Sequence, residues 1–165
     1  MKFYTIDDDY INYLKNFERR VWNNFDKENK RPYIGIIIMN NKYDYYAPLT
    51  SPKPKNEKWR DSLTTIRLDD HNGLYGFICL NNMIPVNNHL VKLLDFSTLK
   101  DKRYLDLLNK ENNIIRKKKN RIQKNADNLY KEITKKEIIK PFIKKIKPFC
   151  FDFKDLEDKL DCYKS

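Results

Sequence analysis

The sequence predicts an α+β fold, a compact, curved antiparallel sheet with helices packed on it. Two observations predict it. Over residues 1–100, short runs rich in β-branched and aromatic side chains alternate with turn signals. From residue 101 onward, apolar residues recur at helical spacing instead. In order, "KFYTI" (2–6) reads as a strand. "DDDYINYLKNFERRVW" (7–22) reads as a helix, with Tyr10, Ile11, Leu14, Phe17 and Val21 on one face and aspartates where a helix start favours them. Residues 23–32 are polar and end in Pro32, a loop. "YIGIIIM" (33–39) and "YDYYAPL" (43–49) flank "NNK" as one hairpin. "LTTIRL" (63–68) and "LYGFICL" (74–80) flank "DDHNG" as a second, with Gly73 available for a positive φ. "MIPV" (83–86) and "HLVKLLDF" (89–96) are short apolar segments, and Pro85 suits an edge or a bend. Beyond 101, Tyr104, Leu108, Ile115, Ile122, Leu129 and Ile133 form one helical stripe, with a break expected near "NAD" (125–127). Pro141 and Pro148 bound a last basic stretch, "FIKKIK". The chain is expected to be one domain: sheet-rich over 1–100, basic and helical over 101–150, with an acidic tail over 151–165.

The formal net charge is +11, and its placement says more than its size. Residues 1–30 balance and residues 31–60 carry +4. Residues 101–150 hold sixteen basic against six acidic side chains, a net +10. The last fifteen residues are acidic by two. A composition rich in Asn and Ile inflates Lys as well, but does not segregate the charge. A concentrated basic block suits a polyanionic partner. Three cysteines, Cys79, Cys150 and Cys162, are far apart and make no disulfide framework or zinc motif. His71 and His89 are isolated. With three glycines in the chain, phosphate-binding glycine loops are absent. "DDD" (7–9) reads better as a helix start than as a metal site. No apolar run approaches a membrane span, and "MKFYTIDDDY" turns acidic at once, which points to the cytoplasm.

What remains is a basic chain with eleven tyrosines, which can stack on bases. The stretch "YAPLTSPK" (46–53) carries the chemistry best. RNA can be cut by its own 2′-OH, leaving a 2′,3′-cyclic phosphate and a 5′-OH. The protein then has to align that hydroxyl, meet the developing charge with cations and donors, and move protons. Thr50, Ser51 and Lys53, with Arg31 before the preceding strand, supply those groups. Two plainer readings stand beside this one. Pro48 and Pro52 end a strand and stiffen a turn; or the loop docks RNA in a protein without catalysis. A basic helix lying on anionic lipid is a third, with a stripe too narrow to favour it.

The chain resembles the ToxN/AbiQ family, the ribonuclease toxins of type III toxin–antitoxin systems. "MKFYTI", "YINYLK", "YIGI", "YAPLTSPK", "MIPV" and "LLD" stand in the family's order and approximate spacing, and "FKDLEDKL" is similar to its C-terminal tail. "YAPLTSPK" is the most specific of these; CptN-like members are one candidate subgroup. The resemblance implies a metal-independent endoribonuclease that needs no cofactor and cuts A-rich RNA. It implies a small antitoxin RNA of pseudoknot repeats, cut by the toxin from a longer precursor, and cyclic protein–RNA assemblies, often three of each. It implies a strongly curved sheet similar to that of the MazF/Kid toxins, and a role in bacterial phage defence by growth arrest. The family's hydroxyl pair and lysine fall on Thr50, Ser51 and Lys53. Its basic residue before the "IG" strand falls on Arg31, where other members can carry lysine; an arginine keeps its charge and passes no proton, so phosphate binding is expected of it. The family's upstream loop tyrosine has no match, and Phe25 is the one aromatic candidate in "NNFDKENKRP". RNA contacts are expected of Tyr45 or Tyr46, of Lys55, and of Arg116, Lys117, Lys118, Lys119, Arg121 and Lys124.

Overall fold

The computed structural model describes residues 1–26, 29–39 and 41–164, with the side chains at 25, 26 and 29 outside the description. Its strands are β1 (Phe3–Ile6), β2 (Phe25–Asp26), β3 (Asn29–Lys30), β4 (Tyr33–Ile37), β5 (Asp44–Thr50), β6 (Thr65–Asp70), β7 (Gly73–Cys79), β8 (Ile84–Pro85) and β9 (Val91–Leu93). Its helices are α1 (Asp8–Lys15), α2 (Lys102–Ile133), α3 (Pro141–Ile146) and α4 (Phe153–Cys162). The main sheet has seven strands in the order β6-β7-β5-β4-β1-β9, with β8 also on β5, and every pairing is antiparallel. The expected α+β class and both hairpins are present. Gly73, with φ 149°, closes the second hairpin, a backbone region that other side chains rarely adopt.

β5 changes partner along its length. Tyr45 and Tyr46 pair with β8, whereas Leu49 and Thr50 pair with β7. The chain runs straight through Pro48, which sits opposite Tyr33 on β4. Pro48 therefore does not end the strand as expected; the strand stops at Thr50, before Pro52. The loop over 23–32 holds the small β2–β3 ribbon.

α1 starts where the aspartates predict. Asp7 caps it by accepting from the backbone N–H groups of Asp9 and Tyr10. It ends at Lys15, short of the expected Trp22. Arg20 explains the difference: it is drawn to the C-terminal segment, donating to the carbonyls of Pro148 (2.7 Å) and Cys150 (3.2 Å) while pairing with Glu18 (2.6 Å). Phe17 is left exposed, and Val21 reaches the core from irregular backbone.

α2 is a single helix of 32 residues, about 48 Å long at 1.5 Å per residue. The expected break near "NAD" is absent. Ala126 continues the buried stripe. Its polar neighbours bond outward rather than to their own backbone: Asn125 donates to the Ser62 carbonyl (2.7 Å), and Asp127 accepts from the Met39 N–H (3.0 Å). Leu108, Ile115, Ile122 and Leu129 are wholly buried against the sheet. The acidic end of the chain is α4, capped by Asp152, with Phe153, Leu156 and Leu160 in the same core.

Glu157 joins these layers. Its Oε1 accepts from Asn41 (2.8 Å), Tyr45 (2.8 Å) and Tyr130 (2.7 Å), and Lys154 stands 2.9 Å from Oε2. Although burial opposes ionisation, these donors together hold its carboxyl below the usual carboxylate range. Glu157→Ala should cost about 3 kcal/mol, the scale of stripping charge-assisted hydrogen bonds from buried hydroxyls. A depressed carboxyl stabilises the fold above its unfolded value near 4.5 and loses that contribution as pH falls through the folded value. In urea titrations, the gap between wild type and variant should therefore be full at pH 7 and shrink in acid.

Candidate active site

β5 delivers "LTSPK" to a cleft of about 660 Å³ between the strand's end and the first turns of α2. The backbone is held on both sides before the loop begins. The Leu49 N–H donates to the Pro32 carbonyl (2.9 Å), and the Leu49 carbonyl accepts from Arg31 Nη1 (3.0 Å). Thr50 lies opposite Phe77 on β7. Beyond it, Asn56 ties the loop to itself. Its Oδ1 accepts from the Lys53 N–H (2.6 Å), and its Nδ2 donates to the Ser51 carbonyl (3.3 Å). Asn56 is buried, whereas Ser51 and Lys53 are exposed. Arg67 then anchors the far side by donating to the carbonyls of Glu57 (2.7 Å) and Trp59 (3.0 Å). The hydroxyls and the lysine are thus presented by a loop whose freedom is removed by hydrogen bonds as much as by proline.

Thr50, Ser51 and Lys53 line this cleft together. Arg31 does not line it. It is 8% exposed and lies behind the strand, with Nε on the Asn23 carbonyl (3.1 Å) and its guanidinium 4.9 Å from the centre of the Trp22 ring. The structure gives Arg31 the support of the strand that carries Thr50. Phe25 is a backbone position of β2, and its side chain lies outside the described residues.

Lys30, Lys53 and Arg103 bring positive charge to the cleft, and Asp101 and Glu111 are its acids. Asp101 caps α2, accepting from the N–H groups of Arg103 (2.9 Å) and Tyr104 (3.1 Å). Lys30 reaches Asp8 at 2.6 Å, and that hydrogen bond holds the Asp8 carboxyl below its ordinary value. Glu111 is 4% exposed, and burial pushes its carboxyl up to about 8. At neutral pH it is mostly uncharged, so the cleft favours an anion.

The expected RNA contacts divide. Lys55, Arg116, Lys117, Lys119 and Lys124 are exposed. Lys118, half-buried, and Arg121, exposed like the others, are also paired within the protein. Lys118 donates to the Arg67 carbonyl (2.7 Å) and lies 3.5 Å from both Asp61 and Asp69, while Arg121 pairs with Asp61 at 2.8 Å. Tyr45 is not open to RNA, contrary to expectation. It is wholly buried, with its hydroxyl on Glu157, because the inward side of β5 meets α4. Tyr46 is 5% exposed and packs edge-on to Tyr4 (5.3 Å), at a separate hollow with Lys119 and Gln123. The basic run 116–124 does not line the cleft; the part of α2 that does spans 103–111.

Lys30, Arg103 and Glu111 in the cleft wall, and Asn56 in the loop, were not among the residues expected from the sequence. Glu111 had a signal: it stands on the apolar stripe, three residues after Leu108 and four before Ile115. Asn56 had none, since its value depends on where the loop doubles back.

The sequence model of the family described as "Toxin ToxN, type III toxin-antitoxin system" matches residues 2–161. The endoribonuclease ToxN of Bacillus thuringiensis subsp. kurstaki is 33% identical over 99% of this chain and 84% of its own length. A solved structure from a type III toxin–antitoxin system, described by selective toxin inhibition by a non-coding RNA pseudoknot, superposes with a TM-score of 0.88 at 32% identity, covering 98% of this chain and 96% of that one. AbiQ, a lactococcal anti-phage endoribonuclease, superposes with a TM-score of 0.79 at 27% identity, covering 98% of this chain and 96% of that one. A chain with this fold, this basic hydroxyl cleft and similarity along nearly its whole length belongs to the ToxN/AbiQ family of endoribonuclease toxins of type III toxin–antitoxin systems.

Proposed function

We propose that this endoribonuclease cuts A-rich RNA in the cleft beneath "LTSPK", by attack of a 2′-OH on the adjacent phosphate and without a metal ion. The observation that carries this reading is the presentation of Thr50, Ser51 and Lys53 on a strand end and loop already held by Arg31, Pro32 and Asn56, facing a cleft with Lys30 and Arg103. Lys53 meets the charge of the phosphorane. Thr50 and Ser51 orient the scissile phosphate and its 2′-OH. Arg31 acts from behind, keeping the Leu49 carbonyl and so Thr50 in place. Donors aimed before substrate arrives need no reorganisation at the moment of reaction.

The partner that fits the exposed cations of α2 is folded RNA. The solved relative inhibited by a pseudoknot supports a pseudoknot antitoxin here too. Cutting of that RNA from a repeat precursor, and its assembly with the toxin into a closed ring of three and three, belong to the same proposal. The residues offered to it by their exposure are Lys55, Arg116, Lys117, Lys119 and Lys124, with Arg121 exposed beside them but paired with Asp61. A strongly curved, MazF/Kid-like sheet is part of the same proposal, in keeping with the change of partner along β5 from β8 at Tyr46 to β7 at Leu49. Growth arrest during phage infection, in the bacterial cytoplasm, is the setting that the anti-phage relative supports.

Cleavage should persist in EDTA and leave 2′,3′-cyclic phosphate ends; strict dependence on magnesium, or 3′-OH ends, would overturn the mechanism. Lys53→Ala should lower the cleavage rate ~10²–10³-fold, the usual scale for one preorganised donor, while melting close to wild type because the side chain is exposed. A Lys53→Ala protein that cuts at the normal rate would reduce the loop to a turn or a docking surface. For the antitoxin, reversal to glutamate should be confined to Arg116, Lys117, Lys119 and Lys124, since Lys118 and Arg121 hold Asp61. Filter binding should then show weaker antitoxin affinity and a shallower dependence on salt. Unchanged affinity would place the antitoxin on another face.

A further inference from the structure

One side chain of the cleft has no part in the mechanism above. Glu111 projects from the stripe of α2 that also carries the wholly buried Leu108 and Ile115, so the register of the core turns it toward the sheet. It nevertheless lines the cleft with Thr50, Ser51 and Lys53. Gly76 on β7 makes its seat: a Cβ there would collide with Glu111 Oε1 and lie 3.1 Å from the Thr50 carbonyl oxygen. The carboxyl therefore lies beneath the backbone of the residue that starts the hydroxyl pair. The other titratable groups facing this cleft are Lys30, Lys53, Asp101, Arg103 and Tyr104. Lys30 reaches Asp8, and Asp101 caps α2. Burial is what raises Glu111, from 4.5 to about 8, so the resident form at neutral pH is the protonated acid. An amide of the same shape would fill this place without the cost of desolvating a carboxylate.

We propose that Glu111 is the general acid of the cleavage reaction, delivering its proton to the 5′-oxygen of the leaving nucleotide. The assignment rests on the reading that the "LTSPK" cleft is where the 2′-OH attacks. The 2′-oxygen forms its bond to phosphorus as its proton passes to solvent water. The P–O5′ bond breaks, its electron pair stays on O5′, and the Glu111 proton converts that oxygen to a hydroxyl. The carboxylate left behind takes a proton back from water, a step that its desolvated surroundings favour. The neutral acid also suits the approach of substrate: an ionised carboxylate would repel the phosphate, whereas a protonated one donates to it.

The test compares Glu111→Gln with wild type on ordinary RNA and on RNA carrying a bridging sulfur in place of O5′ at the cleavage site. A thiolate leaves without being protonated. Glu111→Gln should cut ordinary RNA ~10²–10⁴-fold more slowly, the range for losing a positioned acid, and should recover most of that loss on the sulfur substrate. Wild-type cleavage of ordinary RNA should fall as pH rises above about 8, and the variant should lack that limb. Folding is checked by thermal melts. A carboxyl raised in the folded state makes the native protein lose stability as pH climbs from 4.5 to about 8, so Glu111→Gln should melt above wild type at pH 8. If the amide variant does not fold, Glu111→Leu, an apolar replacement on the stripe, is measured in the same way. Normal cleavage of ordinary RNA by the variant would overturn the proposal, as would equal slowing on both substrates. Lys53→Ala, run alongside, separates the two readings. If it cuts normally, the cleft is not the site and the Glu111 role falls with it. If Lys53→Ala is inactive and Glu111→Gln is normal, only the role of Glu111 falls.

Discussion

The burial of one stripe of α2 sets the rest of this structure. Leu108, Ile115, Ile122 and Leu129 are removed from water, at ~1.5–3 kcal/mol for each such side chain. That burial fixes the rotation of the helix about its axis. Rotation then decides what every other residue of α2 does. Near its start, Arg103 and Glu111 come to the cleft. Farther along, Lys118 and Arg121 reach Asp61, and Asn125 reaches Ser62, locking the helix to the loop before β6. The side left over carries the exposed Arg116, Lys117 and Lys124. One buried stripe thus divides a basic helix into an end that lines the cleft, a fastening flank and an exposed surface.

The loop that meets α2 is shaped by backbone hydrogen bonding rather than by its own apolar contacts. Leu49 is held at both its N–H and its carbonyl, and Asn56 closes the turn beyond Lys53. A loop of this composition would otherwise sample many conformations, and the proposed cleavage needs its hydroxyls and cation at fixed places. Arg31 takes its place within this scheme. Its guanidinium meets the Asn23 and Leu49 carbonyls and the Trp22 ring among its partners, so it stiffens the strand from behind.

Two buried glutamates show how surroundings assign opposite roles to the same side chain. Glu157 has hydrogen-bond donors from β5, α2, α4 and the turn after β4, and it stays ionised as a fastening between layers. Glu111 is desolvated without such a set, and it keeps its proton. The first is a carboxylate that supports the core; the second is a neutral acid beside a cleft made for anions.

Much of this was legible in the sequence. Alternation and turn residues located both hairpins, Gly73 its positive φ, and Asp7 the start of α1, because each signal acts within a few residues of itself. The stripe from Tyr104 to Ile133 foretold α2, and "LTSPK" foretold which residues would share a cleft. Where local signals were outweighed, a distant partner was the reason. Arg20 left α1 for the carbonyls of Pro148 and Cys150, and "NAD" stayed helical because Asn125 and Asp127 found partners outside the helix. Tyr45 turned inward because α4 supplied Glu157 to its hydroxyl. The sequence by itself determined most of the element types, the segregation of charge and which donors and cations the loop carries, since these follow from residue type and short-range spacing. Only the tertiary structure decided that Arg31 supports the loop from behind, that Lys118 and Arg121 are fastened, and that Glu111 holds its proton. Burial and long-range hydrogen bonding set those properties, and neither exists until the chain has closed around α2.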